Sequence, residues 1–274
     1  MRPSFLFVVA LSCALAGPAA LAQVASPGAD GRPPPQSAQR DLTAPFHTRS
    51  LWRLVVTEGP PVKDYGDNDA PGALSLCLHR GPKGPCIADP VTPPKWGSAD
   101  DDASTWAPHY LLDTRVVNPR GPGQPPFLLI VTGSVYSGDG DQVVYIQLLA
   151  YDEVHDAFRR IYARGTGHNN NQEIRFIADG PLRGDVITVE PQDRRPFNYW
   201  ITVEQLQADD TYRKVLRFLS ATHYGDGNPM AVIDSEMPGI LEHLGLWKRG
   251  DPLPVPAGKA CAKPVLRHAE LWCE

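Results

Sequence analysis

Two short polar segments carry the residue types from which a site can be built. They are His168-Asn169-Asn170-Asn171-Gln172-Glu173 and His223-Tyr224-Gly225-Asp226-Gly227-Asn228, with Asp234 and Glu236 shortly after the second. Imidazoles, carboxylates and amides side by side can move protons near neutral pH and hydrogen-bond in both directions. Two carboxyl groups whose acidities are pushed apart are what glycoside cleavage requires. Without that division of labour the same groups bind a polar ligand such as a glycan, with Tyr224 as a stacking face. The candidate ligand-binding residues are therefore His168, Asn169, Asn171, Glu173, His223, Tyr224, Asp226, Asn228, Asp234 and Glu236. No catalytic residue is assigned, because the chain has no G-x-S-x-G elbow, no phosphate-cradling glycine loop and no H-E-x-x-H. The expected role is a non-catalytic binding or envelope-associated module. A secreted hydrolase acting on glycans or esters through the His, Asp and Glu loops is the alternative.

Three loops share a phrase rich in aspartate and glycine: Tyr65-Gly66-Asp67-Asn68-Asp69, Tyr136-Ser137-Gly138-Asp139-Gly140-Asp141, and Tyr224-Gly225-Asp226-Gly227-Asn228. Alternating oxygen donors on a tightly curled backbone suit calcium, but none of the three supplies the closing bidentate glutamate of an EF-hand. Turn chemistry explains the same residues, since Asp, Asn and Gly tolerate left-handed backbone. No cofactor is expected, with calcium the one kept in view, and Asp100-Asp101-Asp102 reads as a solvated loop.

These loops need a scaffold, and residues 127 to 234 supply one as a four-strand pattern written twice at an offset of about 55 residues. The first copy reads Phe127 to Val135, Gln142 to Tyr151, Phe158 to Ala163 and Glu173 to Ile177; the second reads Asp185 to Glu190, Tyr199 to Leu206, Tyr212 to Leu219 and Met230 to Ile233. Ile146 aligns with Ile201, Leu148 with Val203, Phe158-Arg159-Arg160-Ile161 with Tyr212-Arg213-Lys214-Val215, and His168 with His223. The two polar loops then share one rim of the sheet. Earlier runs at Leu51 to Thr57, Leu74 to Leu78 and Leu111 to Val117 add strands, and Ser235 to Leu246 reads as one short helix ending at Gly245. The fold class is all-β: an antiparallel meander of about 10–12 short strands, as a sandwich or a small propeller-like array, with one short C-terminal helix.

Residues 1–22 read as a signal peptide: Arg2, an uncharged run from Phe5 to Ala16, and Ala20-Leu21-Ala22 at the cleavage position. Residues 23–48 are expected to be a disordered leader, 49–274 a single β-rich domain, and 248–274 a proline-rich strap. Cleavage leaves 25 basic against 31 acidic residues, a formal charge of −6, which disfavours nucleic acid as a partner. No stretch reads as a transmembrane segment. A glycan or envelope component is the expected partner, in the periplasm or outside the cell. Four cysteines remain in an exported chain, and pairing nearest neighbours gives Cys77 with Cys86 and Cys261 with Cys273. A zinc site on Cys261, His268 and Cys273 is the weaker reading, since it lacks a C-x-x-C pair.

Overall fold

The computed structural model describes residues 38–64, 66–93, 107–136, 142–167, 172–192, 197–256 and 261–274. In chain order the elements are β1 (Ala38–Asp41), α1 (Thr43–Phe46), β2 (Trp52–Glu58), β3 (Val62–Lys63), β4 (Asp69–Ala70), β5 (Leu74–Arg80) and β6 (Cys86–Ile87). Then come β7 (Tyr110–Val117), β8 (Phe127–Gly133), β9 (Val143–Asp152), β10 (Ala157–Gly167), β11 (Glu173–Phe176), β12 (Val186–Pro191), β13 (Asn198–Leu206) and β14 (Tyr212–His223). Helix α2 (Val232–His243) and the hairpin β15 (Pro264–Arg267) and β16 (Glu270–Cys273) complete the chain. Three four-stranded antiparallel sheets result, ordered β1-β2-β5-β6, β10-β9-β8-β7 and β11-β12-β13-β14. The protein is all-β with one short C-terminal helix, and it forms no closed barrel.

Side-chain alternation decides how the sheets stack. In β2 the buried residues are Trp52, Leu54 and Val56, and in β5 Leu74, Leu76 and Leu78, with the half-buried or exposed Arg53, Val55, Ser75 and Cys77 between them. The first sheet is therefore apolar on one face only. By contrast, β8 opens with four consecutive buried residues and β9 with eight, the burial of strands covered on both faces. Leu128, Ile130 and Leu149 pack on the first sheet, while Leu129, Ile146 and Leu148 pack with Phe176 and Val186 of the third. The third sheet turns Ile187, Val189, Ile201 and Val203 toward Val232, Ile233, Ile240 and Leu241 of α2. The stack thus ends in a polar sheet face on one side and a helix on the other.

The second and third sheets do not coincide with the two expected four-strand units: each sheet starts one strand earlier than the expected frame. Glu173 to Phe176 opens the third sheet rather than closing the second, and Met230 to Ile233 is not a strand, because α2 begins at Val232. Within the corrected frame the ladders match closely. Ile161 is the extra residue between the Arg160–Leu149 and Tyr162–Leu148 pairs, and Val215 is the extra residue between Lys214–Glu204 and Leu216–Val203. Both outer strands bulge at the aligned position, where one unpaired residue bends the strand. His168, aligned with His223 in the sequence, lies outside the described residues. His223 pairs with Asn198, the counterpart of Val143, and Val143 pairs with Gly167.

Order begins earlier than expected. Residues 38–41 pair with β2, and Leu42 and Phe46 are buried in the first core, so the tail of the expected leader is part of the domain. The expected signal peptide lies outside the described residues. Both cysteine pairs are disulfides, Cys77–Cys86 joining β5 to β6 and Cys261–Cys273 closing the last hairpin. The expected strap is therefore partly a β-hairpin, with Leu271 fully buried beneath α2. Sixteen strands are assigned among the described residues; the excess over 10–12 lies in strands of two to four residues.

Asp156 ties the first sheet to the second. It sits in the β9–β10 turn at φ 48°, a left-handed conformation that Asp tolerates. Its carboxylate accepts from Ser50 Oγ at 2.5 Å, Tyr151 OH at 2.6 Å and Trp52 Nε1 at 3.0 Å, and pairs with Arg80 at 2.6 Å. Burial opposes the charge, yet these bonds outweigh it and hold the carboxyl well below the usual range. Asp156→Ala leaves three buried or half-buried donors without an acceptor. We expect a loss of about 3 kcal/mol by chemical denaturation at neutral pH; a change within about 0.5 kcal/mol would show that the network is not structural.

Asp185 is the opposite case. It is 4% exposed, and burial pushes its carboxyl up to about 6 despite the bond from Leu206 N at 3.2 Å. Above that pH the folded state carries a buried charge; below its ordinary value of 3.8 both states are neutral. Asp185→Asn keeps the acceptor for Leu206 and removes the charge. The variant should be more stable by up to roughly 3 kcal/mol above about pH 7, with the gain vanishing below about pH 4. Thermal melts across that range decide it; a pH-independent difference refutes the titration.

Candidate functional site

Four of the candidate residues serve to fasten α2. Glu173 Oε1 accepts from Ile233 N at the helix start, and Glu173 Oε2 pairs with Arg175 at 2.9 Å. Arg175 also pairs with Asp234, which is 1% exposed. The helix is capped by a side chain from another strand, since its N-cap residue, Ala231, makes no side-chain bond. The helix therefore begins at Val232, three residues before Ser235, where the sequence pattern started it. Asn228 bridges as well: Oδ1 accepts from Met230 N at 3.1 Å, and Nδ2 donates to Ser235 Oγ at 2.9 Å and Leu271 O at 3.0 Å. Glu236, 2% exposed, accepts from Thr222 N at 3.2 Å and Thr222 Oγ1 at 2.8 Å. Burial raises its pKa, the Thr222 bonds oppose that, and the charge of Glu270 adds to the rise.

His223 and Asp226 line a cavity of about 670 Å³ together with Ala221, Arg267, His268, Glu270 and Trp272. β14 delivers the first pair at its end, where Gly225 and Gly227 both sit at φ 82°. Asp226 Oδ1 accepts from Asn228 N at 2.8 Å, while its Oδ2 is buried with no hydrogen-bond partner. The hairpin delivers the rest. Glu270, 8% exposed, accepts from Trp272 Nε1 at 3.1 Å. Burial raises the Glu270 pKa, the Trp272 bond lowers it, the charge of Asp226 raises it, and His223 and His268 lower it. Arg267 lies over the Trp272 ring at 4.7 Å and donates to Glu274 at 2.8 Å. Tyr224, 51% exposed, follows His223 without lining the cavity.

A second cavity, about 530 Å³, is lined by Phe46, His47, Pro125, Tyr151, Glu153 and Asp210 among others. His168, Asn169 and Asn171 lie outside the described residues. Among the described residues no group of three or more His, Cys, Asp or Glu is arranged to hold a metal ion. The first Asp-Gly loop is bonded as a turn, with Asp64 Oδ1 accepting from Gly66 N at 2.8 Å and Asn68 N at 2.9 Å. Asp69 of that loop pairs with Lys63 at 2.9 Å. No helix among the described residues is long and apolar enough to cross a membrane. No family model matches the chain, and no curated protein matches it.

Arg267, Glu270 and Trp272 were missed because the C-terminal segment reads as a proline-rich strap, and His268 was considered only as a zinc ligand with Cys261 and Cys273, which are disulfide-bonded to each other. A signal was present: the two cysteines bracket a strand-turn-strand pattern, and His268 occupies the turn at φ 59°. The division between fastening and cavity residues is testable. Arg175→Met removes the guanidinium that pairs with the buried Asp234 carboxylate and should cost about 3 kcal/mol. His223→Ala, at an exposed position, should cost within about 0.5 kcal/mol. Equilibrium unfolding of both variants checks this, and equal losses would contradict the assignment.

Proposed function

We propose that the protein is an exported, non-catalytic binding module. It holds a polar ligand, such as a glycan or another envelope component, in the cavity between the end of β14 and the β15–β16 hairpin. One observation carries this reading: His223, Asp226, His268, Glu270 and Trp272 line one cavity from elements that are independently fastened. The disulfide holds the hairpin, and Asn228 ties the β14–α2 loop to Leu271 of β16. A preformed concave site with a few polar groups and an aromatic face is the usual form of a small-ligand site. Two disulfides suit an oxidising compartment, which supports a periplasmic or extracellular location.

A hydrolase remains the second reading, and one observation favours it. Glu270 is buried in the cavity wall, and that burial raises its pKa, as a general acid would need. A single plate separates the two. Glycan, peptide and ester panels, with and without calcium, report turnover, while melting in the same wells reports binding through its effect on stability. Melting shifts without turnover, abolished by Trp272→Ala, support the binding module. Turnover abolished by Glu270→Gln supports the hydrolase, and no response in any well refutes both.

A further inference from the structure

We propose that the outer edge of β14 is a docking surface for an extended, acidic segment of a partner protein, which adds to the third sheet as a further strand. β14 is the outermost strand of that sheet, and no strand among the described residues pairs with its free side. Its far end is held by α2, since Thr222 N donates to Glu236 Oε1 at 3.2 Å. The stretch from Arg213 to Leu219 is left open, and it is as long as an ordinary strand. Free backbone donors and acceptors along such an edge are a template for another strand.

Charge points to the partner's chemistry. β14 carries Arg213, Lys214 and Arg217 and no carboxylate, although the whole chain has a formal charge of −5. The arginines of the other long outer strands are engaged. On β10, Arg159 pairs with Asp210 at 2.8 Å, Arg160 donates to Thr92 O at 2.6 Å and Arg164 pairs with Glu190 at 2.6 Å; on β7, Arg115 pairs with Asp113 at 3.1 Å. By contrast, the three β14 side chains make no ion pair or hydrogen bond among the described residues, and Arg217 only lies over the Trp200 ring at 4.3 Å.

Apolar exposure on the same strand is the second observation. Leu216 and Phe218 pack toward α2, so alternation turns Arg217 and Leu219 to the opposite face. Leu219 is 39% exposed and Val215, the bulged residue, 38%. Charge by itself guards an edge against aggregation. Such a guard needs no exposed aliphatic neighbours, and it repels only strands of like sign. A second copy of β14 is of like sign, whereas carboxylates placed opposite Lys214 and Arg217 attract across the strands.

The test titrates the full protein in a calorimeter with end-blocked octapeptides. The probes alternate Glu with Val, Lys with Val, and Glu with Gly, the last keeping the charge without strand propensity. We expect the Glu-Val peptide to bind at least about tenfold more tightly than either of the others. It should slow amide hydrogen exchange between Arg213 and Leu219. The double variant Lys214→Gln/Arg217→Gln, at exposed positions, should melt like the parent and bind that peptide about tenfold more weakly, while Arg115→Gln on β7 should bind it like the parent. Equal binding of the Lys-Val peptide overturns the charge complementarity, and equal binding of the Glu-Gly peptide overturns strand addition. Protection elsewhere, or binding indifferent to the double variant, overturns the site. Self-association of the parent that the peptide reverses makes a second copy the occupant and overturns the acidic partner, and no binding of any probe overturns the proposal.

Discussion

A β-sheet that is apolar on both faces cannot be left uncovered on either, and the second and third sheets are built that way. β9 buries Val143 to Ala150 without a polar break other than Gln147, and each large aliphatic side chain placed there is worth about 1.5–3 kcal/mol when covered. Covering one face brings in the first sheet, which can end the stack because its outward residues are polar or half-exposed. Covering the other brings in the third sheet, whose own outward face then needs α2. The architecture is the shortest chain of layers that satisfies each face in turn.

Apolar contact alone does not fix how one layer slides on the next, and each interface carries a charged or polar clamp beside its core. Asp156 holds the first sheet to the second. Between the second and third, Arg164 pairs with Glu190 at 2.6 Å and with Glu204 at 3.3 Å, and Tyr162 donates to Glu204 at 2.6 Å. Between the third sheet and α2, Arg175 joins Glu173 and Asp234. Such groups need every partner in place, so a misaligned layer leaves buried charge uncompensated. That is a stronger constraint on register than the non-directional packing beneath it.

The candidate cavity inherits its shape from this arrangement. The long outer strand β14 ends at His223, α2 is pinned to the third sheet, and the C-terminal hairpin folds back under the helix with Leu271 buried. Residues far apart in sequence meet there because the helix and the hairpin both close the same end of the stack.

Much of this was legible in the sequence. Period-two alternation in Leu74 to Leu78, against continuous aliphatic runs in Phe127 to Val135 and Gln142 to Tyr151, distinguishes a one-faced sheet from a two-faced one, whereas Leu51 to Thr57 carries no clean alternation. The matched phrases Phe158 to Ile161 and Tyr212 to Val215 end on the residues where both outer strands bulge, although nothing in them marks a bulge, and pairing neighbouring cysteines anticipated both disulfides. Tertiary structure decided the rest, because the deciding partners are remote. The start of α2 depends on Glu173 from β11, which no local cap reveals, so Asp234 and Glu236 became buried helix residues instead of a loop rim. His223 pairs with Asn198 beyond an irregularity near the end of β14, which no local pattern marks. Glu270 and Trp272 joined His223 only through a hairpin that a proline-rich approach concealed, since a pattern along the chain records neighbours in sequence and a cavity records neighbours in space.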